Sequence, residues 1–480
     1  MAFIFNKNCE QMKHKFLHNW LIIIFIVIIL LIIGGILFLN YWPHASQTAK
    51  HDSPRIGQPS HNLKIDGRWR KKNTAAVKKN GQQFEKEVKR LQSLGYLQGY
   101  HNGPTKNGVT LYNKSLAYGG LNFFTSGHAQ AAFLMDMQGK IIHQWDLKNP
   151  LVKKRLESII KSQDDPKIRA IYREACTYWR RAHLYDNGDI LAIYSQIFMI
   201  KLDKDSNLVW ISDITGTHHH MQVADNGNIY VLVKKNKSIP KPYCLDKKCQ
   251  TDFIVVLNPR GEVIKSISLL ECFVNSEYTH LLRKMPKKNE QFHTNTLQLF
   301  DGHLSDISPL FKKGNALISA LYLNTIAIVD LDKEKVVWAL EGSVNDLWSG
   351  MHEPVLLDNG NILIFDNNWT APKNKRYSRV LEFDPFTKEI VWQYRGGKQQ
   401  AFFSRTCGTN QRLPNGNTLI TESDNGRVFE VTSAGKIVWE YINPHRAGKN
   451  NQFIATILHM QRIDQDKISW IDNAKAMAKD

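Results

Sequence analysis

Three histidine positions recur at comparable points of the chain: His218-His219-His220, His293 in Phe292-His293-Thr294-Asn295, and His352 in Met351-His352-Glu353-Pro354. Each opens a strand-like run. Neutral imidazoles that converge on one point can attack an electrophile, move protons or bind a metal. Alternate residues of a strand face the same side, so at most two of the His218 to His220 run point one way, and His220 is taken as the inward one. No carboxylate is placed to complete a familiar metal-binding triad, so no metal and no cofactor is assigned. A fourth comparable point carries Ser404-Arg405-Thr406-Cys407-Gly408, an Arg and a thiol in place of His. Cys407 is either a reactive thiol or a small packing residue. His183 stands outside the pattern and reads as a hydrogen-bonded structural residue.

What positions these residues is a repeat. A polar residue and Asn-Gly precede an apolar run at Asp186-Asn187-Gly188 (leading to Trp210), Asp225-Asn226-Gly227, Asp358-Asn359-Gly360 (leading to Trp392) and Pro414-Asn415-Gly416 (leading to Trp439). Asn-Gly marks a hairpin, and type I′ turns are expected because both central residues then need positive φ. Repeating units of about 40 to 55 residues, each with about four short strands, predict an all-β fold, a six-bladed β-propeller with short helical insertions. The blades are expected at Gly120–Trp145, Ala182–Trp210, His218–Ile267, Phe292–Trp338, Met351–Trp392 and Phe403–Trp439, with a helical insertion over Leu151–Trp179. Phe453–Met460 follows the sixth blade and is expected to return to blade one, hiding two sheet edges. The strand that opens each blade lines the central channel, so His220, His293 and His352 meet at its mouth.

Leu21 to Leu39 is uncharged and apolar between Trp20 and Trp42. That matches the ~20 residues of a membrane-spanning helix, so residues 19–42 are expected to be a transmembrane anchor. A cleaved signal peptide has a shorter apolar core and a clearer small-x-small site than Pro43-His44-Ala45. Lys7, Lys13 and Lys15 precede the span, which predicts a cytoplasmic N-terminus over residues 1–18 and a propeller on the periplasmic, extracytoplasmic side. Residues 43–80 are expected as a basic stalk, 81–110 as a helical lead-in containing a helix over Gln82–Leu97, 111–465 as the propeller and 466–480 as a tail. Cys244 and Cys249 are close enough to close a small disulfide loop in an oxidising compartment. The net charge of +19, with Arg68 to Lys79 strongly basic, suits a stalk beside anionic head groups and a pull on small anions. No nucleic-acid-binding module is recognisable, so no nucleic-acid partner is expected.

The chain resembles the bacterial arylsulfotransferase (ASST-like) family. The resemblance is carried by His352-Glu353-Pro354, Leu357-Asp358-Asn359-Gly360-Asn361-Ile362-Leu363 and Phe365-Asp366-Asn367. It continues through Ser378-Arg379-Val380-Leu381-Glu382-Phe383-Asp384-Pro385, Ile390-Val391-Trp392-Gln393-Tyr394 and Gln411-Arg412-Leu413-Pro414-Asn415-Gly416. It implies a six-bladed propeller that moves a sulfuryl group from an aryl sulfate to a phenol without a nucleotide donor, through a transient sulfohistidine. His352 resembles the family's histidine ahead of the Phe-Asp-Asn block, and His293 or His220 its earlier channel histidine. Arg379 is expected to offer a guanidinium to the sulfate, and Arg405 is a second candidate. The family's sulfated histidine belongs near the final blade, where this chain has Ser404 to Cys407. The other function kept open is a propeller that binds an anionic or aromatic ligand, or scaffolds an envelope complex, without turnover.

Overall fold

Each of the four Asn-Gly turns closes a hairpin, but not as type I′. Only the glycine adopts positive φ (Gly188 87°, Gly227 79°, Gly360 84°, Gly416 85°), and each glycine N–H donates to the carbonyl three residues back. This is a type I turn completed by a left-handed glycine. The asparagine has its own task, because its Oδ1 accepts the amide two residues on, at 3.1 Å for Asn187 and Asn415 and 3.0 Å for Asn226 and Asn359. A side-chain bond of this kind holds the turn without asking Asn for positive φ.

The computed structural model describes residues 69–71 and 106–471, apart from 344–346, 372–376, 398–401, 448–450, 452 and 469. The hairpins stack into six antiparallel blades. Blade two is Arg181–Leu184, Ile190–Ile193, Met199–Leu202 and Leu208–Ile211. Blade three is Thr217–Val223, Ile229–Lys237, Cys249–Leu257 and Val263–Ser268. Blade four is Thr294–Leu299, Asn315–Ala320, Thr325–Asp330 and Lys335–Glu341. Blade five is Met351–Leu356, Ile362–Asp366, Arg379–Phe383 and Ile390–Tyr394. Blade six is Thr409–Arg412, Thr418–Glu422, Arg427–Val431 and Ile437–Ile442, with Gly108–Tyr112 added outside as a fifth strand.

Both ends of the propeller lace the ring. The returning strand is Ile457–Ile463, which takes the innermost place of blade one beside Leu121–Ser126, Ala131–Met135 and Ile141–Asp146. Phe453–Ala455, expected in that same strand, instead pairs with Trp69–Lys71 and Arg446–Ala447 in a separate small sheet. The span over 19–42 and the helix over 82–97 lie outside the described residues. Of the expected stalk only Trp69–Lys71 is described, and it is a strand. Among the described residues no helix is long and apolar enough to cross a membrane.

The recurring tryptophans staple neighbouring blades. Trp145 of blade one donates Nε1–H to Gly188 O at 2.9 Å, Trp210 of blade two to Pro259 O at 3.2 Å, and Trp392 of blade five to Ser433 O at 2.8 Å. Trp439 of blade six closes the circle on Met137 O at 2.9 Å. Beneath these bonds the core forms apolar layers between blades, as where Phe365 of blade five meets Phe402 with ring centroids 5.5 Å apart. Burying such a ring stabilises by about 1.5–3 kcal/mol.

The insertion between blades one and two holds two helices, Pro150–Lys161 and Pro166–Ala175. Asn149 caps the first by accepting Leu151 N–H at 2.9 Å, while Val152 and Leu156 are buried. A further helical linker, Leu269–Val274 and Glu277–Lys284, joins blades three and four. Cys244 and Cys249 form the expected disulfide.

Candidate functional site

The first strand of every blade begins on one side of the ring, and the Asn-Gly turns lie on the other. Where those strands begin, four non-glycine residues take left-handed backbone: His219 (φ 50°), His293 (50°), Glu353 (45°) and Cys407 (57°). Ladder register shifts accompany the first three, between Thr217 and Met221, Thr294 and Thr296, and His352 and Val355. Each such residue costs on the order of 1–3 kcal/mol and re-aims the side chains around it. The bulges therefore overturn simple alternation in the His218 to His220 run.

His352 is 5% exposed, and its Nδ1 lies 2.7 Å from Asn367 Oδ1. The Asn367 amide is oriented by two other bonds: Nδ2 donates to Ser404 O at 2.8 Å and Cys407 O at 2.7 Å. Its Oδ1 must therefore accept, so His352 carries its proton on Nδ1 and presents a bare lone pair on Nε2. Burial, together with the Arg180 charge, holds the His352 pKa down to about 3, so the ring is neutral at physiological pH. Gly408 lets the carbonyl-bearing loop approach: at φ 109°, a Cβ there would sit 2.5 Å from the Phe365 ring.

Arg180 enters from blade two and is 7% exposed. Its guanidinium reaches only Leu458 O at 3.4 Å and Cys407 Sγ at 3.7 Å, and among the described residues no carboxylate pairs with it. The charge acts on His218, His219, His220, His352 and His459, all with pKa values lowered first by burial. A buried cation ringed by neutral imidazoles, with no carboxylate partner among the described residues, has the chemistry to attract an anion.

The neighbouring Arg181 is paired. It grips Glu353 with two bonds, NH1 to Oε2 at 3.0 Å and NH2 to Oε1 at 2.7 Å, across the axis from blade two to blade five. Glu353 also gathers blades three, four and six: His220 Nε2 lies 3.4 Å from Oε1, its own N–H donates to Thr296 Oγ1 at 3.0 Å, and its carbonyl accepts Asn410 Nδ2 at 2.9 Å. Burial alone would raise the Glu353 pKa, but Arg181 and His220 overcome it and hold the carboxyl well below its usual range. This pair ends a cavity of about 850 Å³ that opens on the Asn-Gly side and is lined in part by Asn359, Gln411, Arg412 and His459.

The structure brings His220, His293 and His352 to the beginnings of the inner strands. His220 has a pKa lowered to about 4 by burial and Arg181, and its buried Nδ1 has no hydrogen-bond partner. His293 is half-buried, 2.8 Å from Glu290 Oε1 but off the hydrogen-bonding line, with its ring 5.2 Å from that of Tyr322. Arg379 is not brought to the channel. It lies on the third strand of blade five, bonded to Asp366 Oδ2 at 2.9 Å, Leu347 O at 2.5 Å and Gln393 Oε1 at 3.3 Å. Arg405 is half-buried on the blade-six loop, its carbonyl accepting Trp369 Nε1–H at 2.7 Å. His183 lies on the Asn-Gly side, beside Tyr185. Sequence reasoning missed Arg180, Arg181 and His459. The signal was available in part, since Arg180-Arg181 opens the inner strand of blade two as the histidines open others. Among the described residues no group of three or more His, Cys, Asp or Glu side chains is arranged to hold a metal ion.

The model of the arylsulfotransferase (ASST) family matches residues 181–444, more than half of the chain and the four consecutive strands of each of blades two to six. No curated protein sequence matches the chain. Similar solved structures include a protein of unknown function from Bacteroides caccae, at 14% identity over 72% of this chain and 98% of that one, with a TM-score of 0.41. A streptogramin B lyase matches at 13% identity over 77% and 96%, TM-score 0.40, and virginiamycin B lyase from Staphylococcus aureus at 10% over 74% and 94%, TM-score 0.39.

Proposed function

The chain belongs to the arylsulfotransferase (ASST) family, and from that premise we propose that it transfers a sulfuryl group from an aryl sulfate to a phenolic acceptor without a nucleotide donor. The protein is held to the membrane by residues 19–42 and carries its propeller on the extracytoplasmic side. The observation that carries the reaction is the buried Arg180 guanidinium, which has no carboxylate partner among the described residues and whose charge reaches a neutral His352 with its Nε2 lone pair free.

In the first half-reaction His352 Nε2 attacks sulfur as the S–O bond to the donor phenol breaks, and the electron pair leaves with the phenolate oxygen. Arg180 holds the sulfuryl oxygens, its planar donors suiting an oxyanion better than an ammonium would. In the second half-reaction the acceptor oxygen takes the sulfuryl group, gives up its proton, and returns the lone pair to His352. Tyr322 and Trp369, 38% and 41% exposed on loops of blades four and five, offer faces to an aryl ring.

Incubating the full-length protein with an aryl sulfate, quenching, and measuring intact mass tests the reading. The expected result is a gain of one SO3 group that maps to His352 and disappears on adding a phenol. Absence of both adduct and sulfated phenol would overturn it.

A further inference from the structure

Resting on the sulfuryl-transfer reading, we propose that Asp252, His218 and His219 form a proton relay whose outer member, His219, protonates the departing phenol oxygen and deprotonates the incoming one. His218 Nδ1 and His219 Nδ1 lie 2.8 Å apart. Two imidazole nitrogens at that distance share one proton, so one ring donates and the other accepts. The far side of His218 decides which. Its Nε2 is buried without a hydrogen-bond partner and faces Asp252 Oδ1, equally buried and unpartnered, at 3.7 Å. A small ring rotation brings these complementary atoms into bonding range, and hydrogen bonds of working catalytic groups are often long before substrate binds.

Asp252 is fixed on its other oxygen, where Oδ2 accepts Thr294 N–H at 2.6 Å. With His218 Nε2–H directed at Asp252, His218 Nδ1 accepts from His219 Nδ1–H, and His219 is left with a bare Nε2. The relay thus ends in a base. Asp252 and His218 are fully buried, whereas His219 is partly exposed. The left-handed backbone at His219 sits within the bulge that interrupts the inner strand of blade three. Its ring centroid lies 4.8 Å from that of His293, and Arg180 acts on both His219 and His352. Of the charged groups nearest the relay, Lys234 pairs with Glu290 and also acts on Asp252 from the facing ladder position, favouring its ionised form, and His293 lies against Glu290.

The protons balance over the two half-reactions. His219 takes one proton from solvent at Nε2 as the anionic aryl sulfate binds and offsets the Arg180 charge, and gives it to the phenol oxygen as the S–O bond breaks. It takes a proton from the acceptor at the same atom as the S–N bond to His352 breaks, and returns it to solvent as the product leaves. Asp252 and His218 are positioning residues that fix the tautomer and stabilise the transient imidazolium.

The test compares 4-nitrophenyl sulfate, whose phenolate leaves without help, with phenyl sulfate, whose phenolate needs a proton. In single-turnover formation of the His352 adduct by the full-length protein, without acceptor, His219→Gln should lose about 10²–10⁴-fold on phenyl sulfate and only a few-fold on the nitrophenyl donor. Asp252→Asn should show the same selective loss, more weakly. The ratio of the two rates within one variant is insensitive to the fraction folded. Equal losses on both donors, or none, overturn the relay. Absence of transfer by the unaltered protein counts against the underlying reading instead. Nitrogen-15 shifts of the ligand-free protein then decide the relay independently: a bare Nε2 on His219, converted toward the other tautomer in Asp252→Asn, is expected, and an Nε2–H tautomer in the unaltered ligand-free protein overturns it.

Discussion

Asn367 fixes the tautomer of His352. The 2.7 Å contact between Asn367 Oδ1 and His352 Nδ1 has one polarity only, because the amide nitrogen is already committed to the carbonyls of Ser404 and Cys407. Blade six, which has no histidine at its mouth, thereby contributes through its backbone to the imidazole of blade five.

Asn367→Ala should consequently slow sulfuryl transfer by about 10²–10⁴-fold, the scale on which a wrongly held catalytic tautomer acts. His352→Ala should remove transfer and adduct altogether. Single-turnover kinetics with an aryl sulfate donor check both, and a rate for Asn367→Ala close to the unaltered one would show that the contact does not govern the nucleophile.

Arg180 should trade stability for binding. An uncompensated buried guanidinium costs folding free energy, so Arg180→Met is expected to raise the melting temperature of the ligand-free protein. The unaltered protein should gain stability as inorganic sulfate is added, by RT ln(1 + [L]/Kd), and the variant should not. A parallel sulfate response in both proteins would place the anion elsewhere.

The bidentate Arg181–Glu353 pair makes the opposite prediction. Both side chains are nearly enclosed, 12% and 10% exposed, so removing one charge strands the other. Glu353→Gln should destabilise by about 3–5 kcal/mol in urea titrations, while the double change Arg181→Met with Glu353→Gln should cost less than the single one. Additive losses would mean that the two side chains act independently.

The parts legible in the sequence are those with a local cause. Gly188, Gly227, Gly360 and Gly416 mark turns because only glycine adopts that backbone cheaply, and the tryptophans mark blade ends because each indole reaches the next blade. His220, His293 and His352 followed from the blade frame. Orientation did not, since the bulges at His219 and Glu353 invert the alternation on which it rests. Arg379 faces Asp366 across two strands of blade five, a pairing set by register that spacing alone cannot reveal. Arg180 is marked only by its place at the opening of an inner strand, because an arginine at a strand start looks solvated until six blades close over it.

Acid should unfold the propeller through its buried imidazoles. His352 and His220, 5% and 7% exposed, are held to about 3 and about 4 against an ordinary value of 6.5. Unfolding releases each ring to take up a proton at any pH between its folded and ordinary values, so the unfolded chain binds more protons and stability falls as pH falls. Each ring contributes about 1.4 kcal/mol per pH unit in that window and nothing above it. His218, His219 and His459, also lowered, act in the same direction, whereas Asp252, raised by burial, acts in the other at lower pH. Unfolding free energies measured in urea should therefore be level from pH 8 to 7 and drop steeply below about 6.5. His220→Asn should make that drop shallower, and a profile flat down to pH 5 would mean that these rings are hydrated in the folded protein.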